Sequence, residues 1–309
     1  MQNEPKVAII ILNWNGYKDT IMCIESLKKL GYSNYKIIIV DNFSKENEGS
    51  RIKEKFHDIH LIQNKNNNGF SKGNNIAIKW AKDNGYEYVW ILNNDTIVDK
   101  DSLKYQVRHL KRKEVGAVGS KIKFFDSNKI WSRGLYLIKF QLFPPGLKFF
   151  SNIDEGKEDH YSNTETAKEV QYISGCSMLI KLSLNSIYFD EEYFCYCEDL
   201  DLCYRINKEG YKIIYEPLSI VFHKVSQSSG GEKFNPYTAY YNYRNKLIFL
   251  HKVYSKKITF LLFLPIYFLC LLKDFIKILC VYKNKKQLFK ATFKGVKDGI
   301  IFISKKKYK

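Results

Sequence analysis

Proline is scarce in this chain, six in 309 residues, and with 45% apolar and 16% aromatic residues it is expected to be globular, not disordered. Its seven cysteines are odd in number and scattered, which argues against a disulfide framework. Cys195, Cys197 and Cys203 lie close together, but no second cysteine or histidine pair completes a zinc site, so they read as core thiols. An apolar leader is not expected: Met1–Lys6 is polar and the first apolar run is six residues long. The catalytic part is therefore expected in the reduced cytosol. Internal repeats and low-complexity stretches are lacking as well.

Arginine is missing from residues 246–309, which hold 16 lysines against two aspartates. That segment carries a net +14 of the total +18, leaving +4 for residues 1–245. The basicity therefore sits in a tail, without the arginines and interleaved stacking platforms of a nucleic-acid binder. Length allows one large domain plus an appendage, and the expected division is 1–245 and 246–309. Residues 258–272, ITFLLFLPIYFLCLL, run 15 residues without a charge. At ~1.5 Å per residue this reaches ~22 Å, short of the ~30 Å hydrocarbon core. Residues 284–304 place Phe289, Phe293, Val296, Ile300 and Ile303 at spacings of four and three, with Lys285, Lys286, Lys290, Lys294 and Lys297 on the other faces. Such a helix suits an anionic membrane surface, or it packs its stripe against the main domain. Surface binding or re-entry is favoured over a single C-terminal span, at the cytoplasmic face of the membrane.

The first half alternates two periods. Apolar runs at 7–12, 36–40, 59–62 and 88–92 read as buried parallel strands, and residues 17–30, 47–57, 71–84 and 101–112 read as helices. Repeated βαβ units predict an α/β fold with a mostly parallel central sheet flanked by helices. From 125 to 170 the pattern weakens. FPPG at 143–146 and the polar stretch 151–169 read as a long excursion for partner contacts. Residues 170–180 read as a strand interrupted by Ser174-Gly175. A helix is expected at 199–209 with Gly210 as its stop, then strands at 211–215 and 219–223, and a helix from about 236.

The candidate chemistry lies at strand ends. The strand 88–92 closes on Asn93-Asn94-Asp95, where open α/β sheets bind ligands. Asp95 is a candidate ligand for a hard cation bridging to a diphosphate, or the cap of a helix at 97–103. His223, at the end of IVFH, is a candidate second ligand or a structural histidine. Asn13-Trp14-Asn15-Gly16 and Asp41-Asn42 end neighbouring strands, and their amides and carboxylate suit a pyrimidine edge and a ribose hydroxyl, or serve as helix caps. In NNGFSKGNN, residues 67–75, Asn68, Gly69, Gly73 and Asn75 surround a turn into a helix whose N-terminus favours phosphate. It matches neither a Walker loop nor GxGxxG. Glu198-Asp199-Leu200-Asp201 opens a helix; the first-turn position and an Asp201–Arg205 pair explain part of it, and a carboxylate after the aromatic run YFCYC is placed to take a proton from a hydroxyl.

With those residues assembled, the chain resembles the family 2 inverting glycosyltransferases with the A-type nucleotide-sugar fold, especially the rhamnosyltransferase-like branch. The matching pieces are ILNWNG (11–16), VDN (40–42), NNGFSKGNN (67–75), LNNDT (92–96), ISGCSMLI (173–180), EDLDLCYR (198–205), VFH (221–223) and YYNYRN (240–245). The resemblance implies that Asp41 contacts the nucleoside, with Asn13, Asn15 and Asn94 around the nucleotide sugar. It further implies Asp95 and His223 as ligands of Mn²⁺ or Mg²⁺, Asp199 beside Glu198 as catalytic base, and Arg244 near the diphosphate or acceptor. A nucleoside-diphosphate sugar and a lipid-linked glycan acceptor are the implied partners, in cell-surface polysaccharide assembly. One departure is that the familiar D-x-D is Asn93-Asn94-Asp95 here. The Q-x-x-R-W motif and multiple spans of processive synthases are absent, so transfer of one or a few sugars is expected. A nucleotidyltransferase and a non-catalytic membrane-bound scaffold are the competing readings.

Overall fold

In the computed structural model the described residues are 4–135, 154–160, 165–225, 235–254, 257–282 and 284–305. They fall into two compact units, Met1–Phe194 with Glu198–Ser228, and Cys195–Cys197 with Ser229–Lys309. Residues 136–153, with FPPG, lie outside the described residues, as do 161–164.

The first unit opens with β1 (Val7–Asn13), α1 (Tyr17–Leu27), β2 (Tyr35–Asp41), α2 (Glu48–Lys55), β3 (His60–Gln63), α3 (Gly69–Asp83) and β4 (Tyr88–Asn93). These strands pair in parallel in the order β3-β2-β1-β4. Continuous apolar runs can serve as strands here because both sheet faces are covered. Val7, Ile9 and Ile11 enter one core with α1, while Ala8 and Ile10 enter the other with Ala77, Ile78 and Ala81 of α3.

Beyond β4 come β5 (Thr96–Val98), α4 (Ser102–Leu110), β6 (Val115–Phe124), β7 (Ile130–Ser132), β8 (Lys168–Val170), β9 (Ser177–Lys181), α5 (Glu198–Lys208) and β10 (Lys212–His223). The sheet here turns mixed. β9 runs antiparallel to both β4 and β6, β10 runs parallel to β6, and β5 closes antiparallel on the end of β10. Uninterrupted parallel pairing is thus confined to β3-β2-β1-β4, and the rest of the sheet mixes the two directions. Three local expectations change. Residues 96–98 form a strand paired with 221–223, so Asp95 caps no helix at 97–103. A single strand, β10, replaces the two expected at 211–223, its pairing with β6 shifted around Pro217, which cannot donate to a ladder. β6 itself had no sequence assignment. Gly210, at φ +87°, ends α5 as expected.

The second unit holds α6 (Pro236–Val253), α7 (Lys257–Val281) and α8 (Lys285–Lys305). Position 245 therefore lies in mid-helix. α8 lays Gly295 and Gly299 against α6: a Cβ at Gly295 would sit 2.3 Å from the Tyr240 carbonyl oxygen. The apolar stripe expected on α8 is consequently split. Val296 is buried in the unit, whereas Phe293 and Ile300 are exposed. Among the described residues no helix is long and apolar enough to cross a membrane. α7 carries Lys273, Asp274 and Lys277.

Candidate active site

Three parallel strand ends and two loops build the site in the first unit. At the end of β1 the Asn13 amide nitrogen reaches Asp41 Oδ1 (2.9 Å), Ser44 Oγ (3.0 Å) and Glu48 Oε2 (3.0 Å), and Asn13 Oδ1 accepts from Thr20 (2.7 Å). Asn15, left-handed at φ +54°, accepts from the Lys45 amide (2.9 Å). The sequence expectation that Asn13, Asn15 and Asp41 meet at one edge is met: they form a single network around Ser44. Asn94 donates to Thr20 (3.0 Å) and lies over Gly16, where a Cβ would come within 2.3 Å of its nitrogen.

The 67–75 turn behaves differently from its expectation as a phosphate cradle. The Phe194 carbonyl accepts from Phe70 N (2.6 Å) and Ser71 N (3.2 Å), and Asn42 and Asn67 side chains take the amides of Asn68 (3.0 Å) and Gly69 (2.9 Å). The orphan amides that would hold a phosphate are therefore occupied within the unit. Gly69 is needed for its φ of +70° and for Phe194, whose oxygen lies 2.5 Å from where a Cβ would stand. Gly73 makes room for Leu12, 2.6 Å from its would-be Cβ. Asn75 brackets the backbone of Phe189, donating to its carbonyl (2.8 Å) and accepting from its amide (2.8 Å). Asn68, Gly69, Gly73 and Asn75 thus pack and bond against Asn42, Phe194, Leu12 and Phe189 of the same unit.

Asp95 and His223 do come together. Asp95 Oδ1 lies 3.1 Å from His223 Nε2, both residues buried, because β5 folds back onto the end of β10. His223 Nδ1 is buried with no hydrogen-bond partner among the described residues, and Trp131 stands edge-on to the ring at 4.7 Å. Burial works against charge on the ring, but the Cys176 thiol and the Asp95 carboxylate outweigh it and push His223 up to about 10. Among the described residues no cluster of three or more metal-ligating side chains occurs. The protein therefore offers two donors, one carboxylate oxygen and one imidazole nitrogen that must give up its proton to an incoming cation, a set that fits a divalent ion completed by phosphate oxygens and water.

Asp199 is held from three sides. Its Oδ2 accepts from the Tyr172 hydroxyl (2.8 Å) and the Gly175 amide (3.0 Å), and its Oδ1 from the Leu200 amide (2.8 Å). Burial raises its pKa, and the Gly175 amide, the Tyr172 hydroxyl and the Leu200 amide pull the other way. Glu198 is buried, and its Oε2 has no hydrogen-bond partner among the described residues. Burial, with Asp199 beside it, holds Glu198 well above the usual carboxylate range. Asp201 pairs with Arg205 at 2.7 Å, as its spacing predicts. Tyr172 and Gly175 had no assigned role in the sequence; Gly175 lay in plain view in ISGCSMLI, but only the fold carries its amide to Asp199.

The 175–176 turn ties the two carboxylate sites together. Gly175 N donates to Asp199, and the Cys176 carbonyl accepts from Asn93 N (3.0 Å), two residues before Asp95. Cys176, raised by burial, feels the charges of His223, Asp95 and Asp199. Arg244 belongs to the second unit, where its Nη1 donates to Asn245 Oδ1 (2.7 Å).

Residues 8–182 match the family model described as Glycosyl transferase family 2. The chain belongs to glycosyl transferase family 2. It is a glycosyltransferase. Among curated relatives, rhamnosyltransferase WbbL of Escherichia coli (strain K12) is 29% identical over 234 residues, covering 71% of this chain and 82% of its own. The hexosyltransferase Agl10 of low-salt glycan biosynthesis in Haloferax volcanii is 26% identical over 263 residues, 82% and 78% of the two chains. The fold matches mannosyltransferase PcManGT from Pyrobaculum calidifontis, solved with GDP-Man and Mn²⁺, at TM-score 0.59 and 15% identity over 99% of this chain and 89% of that one. It also matches S. aureus TarS 1-349 with UDP-GlcNAc at TM-score 0.58 and 17% identity, over 96% and 82%. Of another S. aureus TarS structure this chain spans 40% of the length.

Proposed function

We propose that this enzyme is an inverting, metal-dependent transferase that moves a sugar from a nucleoside-diphosphate donor to a hydroxyl of a lipid-linked glycan acceptor. The observation that carries the reading is the bridge at Gly175-Cys176, with the Asp95–His223 pair on one side and Asp199 on the other. Asp41, with Asn13 and Asn15, binds the nucleoside. Asp199 accepts the proton of the acceptor hydroxyl as its oxygen attacks the anomeric carbon from the face opposite the nucleotide. Its raised pKa makes it a stronger base than an exposed aspartate. Asp95 and His223 would hold a divalent ion, whose charge stabilises the departing nucleoside diphosphate. The Mn²⁺ and nucleotide sugar named with PcManGT, and the rhamnosyl and hexosyl transfer named for WbbL and Agl10, support this donor chemistry.

The second unit supplies the membrane contact in this reading. α7 leaves Leu269, Leu272, Ile276 and Leu279 exposed at spacings of three and four, with Phe268 exposed beside them, in a unit rich in lysine. An apolar stripe bordered by cations suits the cytoplasmic face of an anionic bilayer.

Calorimetric titration of uridine, deoxythymidine and guanosine diphosphates with and without Mn²⁺ tests the donor site. Asp95→Ala is expected to lose the Mn²⁺-dependent part of binding. Asp199→Asn is expected to bind donor like wild type and to transfer at least 10³-fold more slowly, on the order of general-base contributions. Wild-type transfer rates in Asp199→Asn would sink the base assignment. Release of pyrophosphate in place of nucleoside diphosphate would turn the reading to nucleotidyl transfer.

A further inference from the structure

Phe43 breaks two rules at once. It is a bulky residue in the left-handed region, at φ +67°, and it is 59% exposed. A large side chain at positive φ is a genuine outlier, and one turned to solvent gains little burial to offset it. Its neighbours explain how the conformation is enforced. Asn42 is 1% exposed, its amide bonded to the Asn13 carbonyl (2.8 Å) and its side chain to Asn64, Asn67 and the Asn68 amide. Ser44 on the other side accepts from Asn13 Nδ2 and the Asn15 amide, both at 3.0 Å, and donates its own amide to Asp41 (3.3 Å). Pinned at both flanks, the backbone at position 43 has no other course, and glycine would follow it without strain.

Strained non-glycine residues persist where the surroundings over-determine them, and they cluster at ligand sites. Phe43 follows Asp41 by two residues at the end of β2, and Trp14, 39% exposed, follows Asn13 at the end of β1. The Asp95–His223 pair stands beyond the end of β4, on the other side of β1. Strands two apart in a sheet are roughly 10 Å apart, the reach of a nucleoside from its base to its diphosphate. An aromatic face at one end of that interval and cation ligands at the other match a nucleotide in length and in chemistry.

We propose that Phe43 is a stacking surface for the nucleobase of the donor and sets donor affinity. This rests on the nucleotide-sugar reading of the same site. The backbone network fixes where the side chain leaves the main chain before the ligand arrives, so no backbone ordering is needed at binding, and binding gains the stacking.

The test pairs affinity with stability in full-length protein. Uridine, deoxythymidine and guanosine diphosphates and inorganic pyrophosphate are titrated with Mn²⁺ into wild type, Phe43→Gly, Phe43→Leu and Phe43→Trp, and each variant is melted. Base–aromatic stacking sets the expected loss at roughly 5- to 150-fold in Kd for all three nucleotides in Phe43→Gly and Phe43→Leu. Phe43→Trp keeps the affinity, pyrophosphate binding stays unchanged throughout, and Phe43→Gly melts no lower than wild type because its strain is gone. In turnover the donor KM rises by the same factor with kcat unchanged. Phe43→Gly that binds nucleotides like wild type overturns the stacking role, and so does a loss that extends equally to pyrophosphate. Wild-type protein that binds no nucleoside diphosphate overturns the donor reading beneath it.

Discussion

Replacing Tyr172 by phenylalanine isolates one hydrogen bond to the proposed base. The hydroxyl donates to Asp199 Oδ2 at 2.8 Å and so favours the charged carboxylate; the Gly175 and Leu200 amides remain when it is removed. Tyr172 keeps its own proton, since burial and the neighbouring Asp199 charge raise its pKa well above the ordinary value. A hydrogen bond to a charged group contributes about 1.5–3 kcal/mol, and one pH unit corresponds to about 1.4 kcal/mol. Losing it should move the acidic limb of the kcat profile upward by about one to two pH units. The sign follows from the donor: taking it away destabilises the carboxylate, so protonation, and with it loss of activity, sets in at higher pH. Below the wild-type limb the variant should be slower by about one to two factors of ten, while on the plateau the rates should agree within about threefold and the donor KM should not move. The measurement is kcat and KM across pH 5–9 with saturating metal. An acidic limb that stays put, or moves down, would refute Asp199 as the titrating base held by Tyr172.

Glu198→Gln tests the buried acid. Burial raises Glu198 far above its unfolded value, so the folded protein binds the extra proton, and its contribution to stability falls as pH rises from the ordinary carboxylate range towards neutrality, by up to about 1.4 kcal/mol per pH unit. Urea unfolding of the metal-free protein should show the variant gaining on wild type between pH 5.5 and 8; a difference independent of pH would count against a protonated Glu198. On α7, Leu269→Glu with Leu272→Glu removes two side chains that are 64% and 56% exposed. Sedimentation with vesicles containing anionic lipid should fall at least tenfold, since each apolar side chain taken from water contributes about 1.5–3 kcal/mol when fully buried. Unchanged sedimentation would move the membrane contact elsewhere.

The nucleotide half of the fold was legible because parallel strands buried on both faces read as unbroken apolar runs, and 7–12, 36–40, 59–62 and 88–92 all became strands. β6 was hidden for a physical reason. Gly116 and Gly119 interrupt it where a Cβ would meet Tyr211, Ile206 and Ile173. Its Lys121, 0% exposed, is neutralised by Asp159 at 3.1 Å and Glu165 at 3.3 Å, partners from the stretch where the sequence pattern weakens. In the site, Asp95 and His223 were readable as separate strand ends, but their pairing depends on β5, a three-residue strand with no periodicity of its own. The occupied N-terminus of α3 was beyond reach for a related reason. The group that fills it is a backbone carbonyl, at Phe194, whose residue identity says nothing about where its oxygen points. Likewise the α8 stripe was correct as a periodicity and incomplete as a surface, because two glycines on the same helix chose the packing face.

The departure from D-x-D sharpens what remains for a metal. Asn93 donates its amide to the Cys176 carbonyl and its carbonyl accepts from the Thr96 hydroxyl (2.7 Å), and the Asn94 side chain donates to Thr20, so Asp95 is the carboxylate of the motif and His223 its partner. One oxygen and one imidazole nitrogen are a poor match for Mg²⁺, which takes oxygen ligands, and a better one for a transition ion such as Mn²⁺. Mn²⁺ should therefore support nucleoside-diphosphate binding at concentrations at least tenfold below Mg²⁺. His223→Asp makes the pair all-oxygen and should narrow or reverse that preference. Because β5 and β10 bring the two side chains within 3.1 Å through backbone pairing, the exchange leaves the scaffold in place. Titrating each ion against a fixed nucleotide concentration reads the order directly. Equal use of both ions by wild type, with no change in the variant, would remove His223 from the ligand set and leave Asp95 as the protein's single donor.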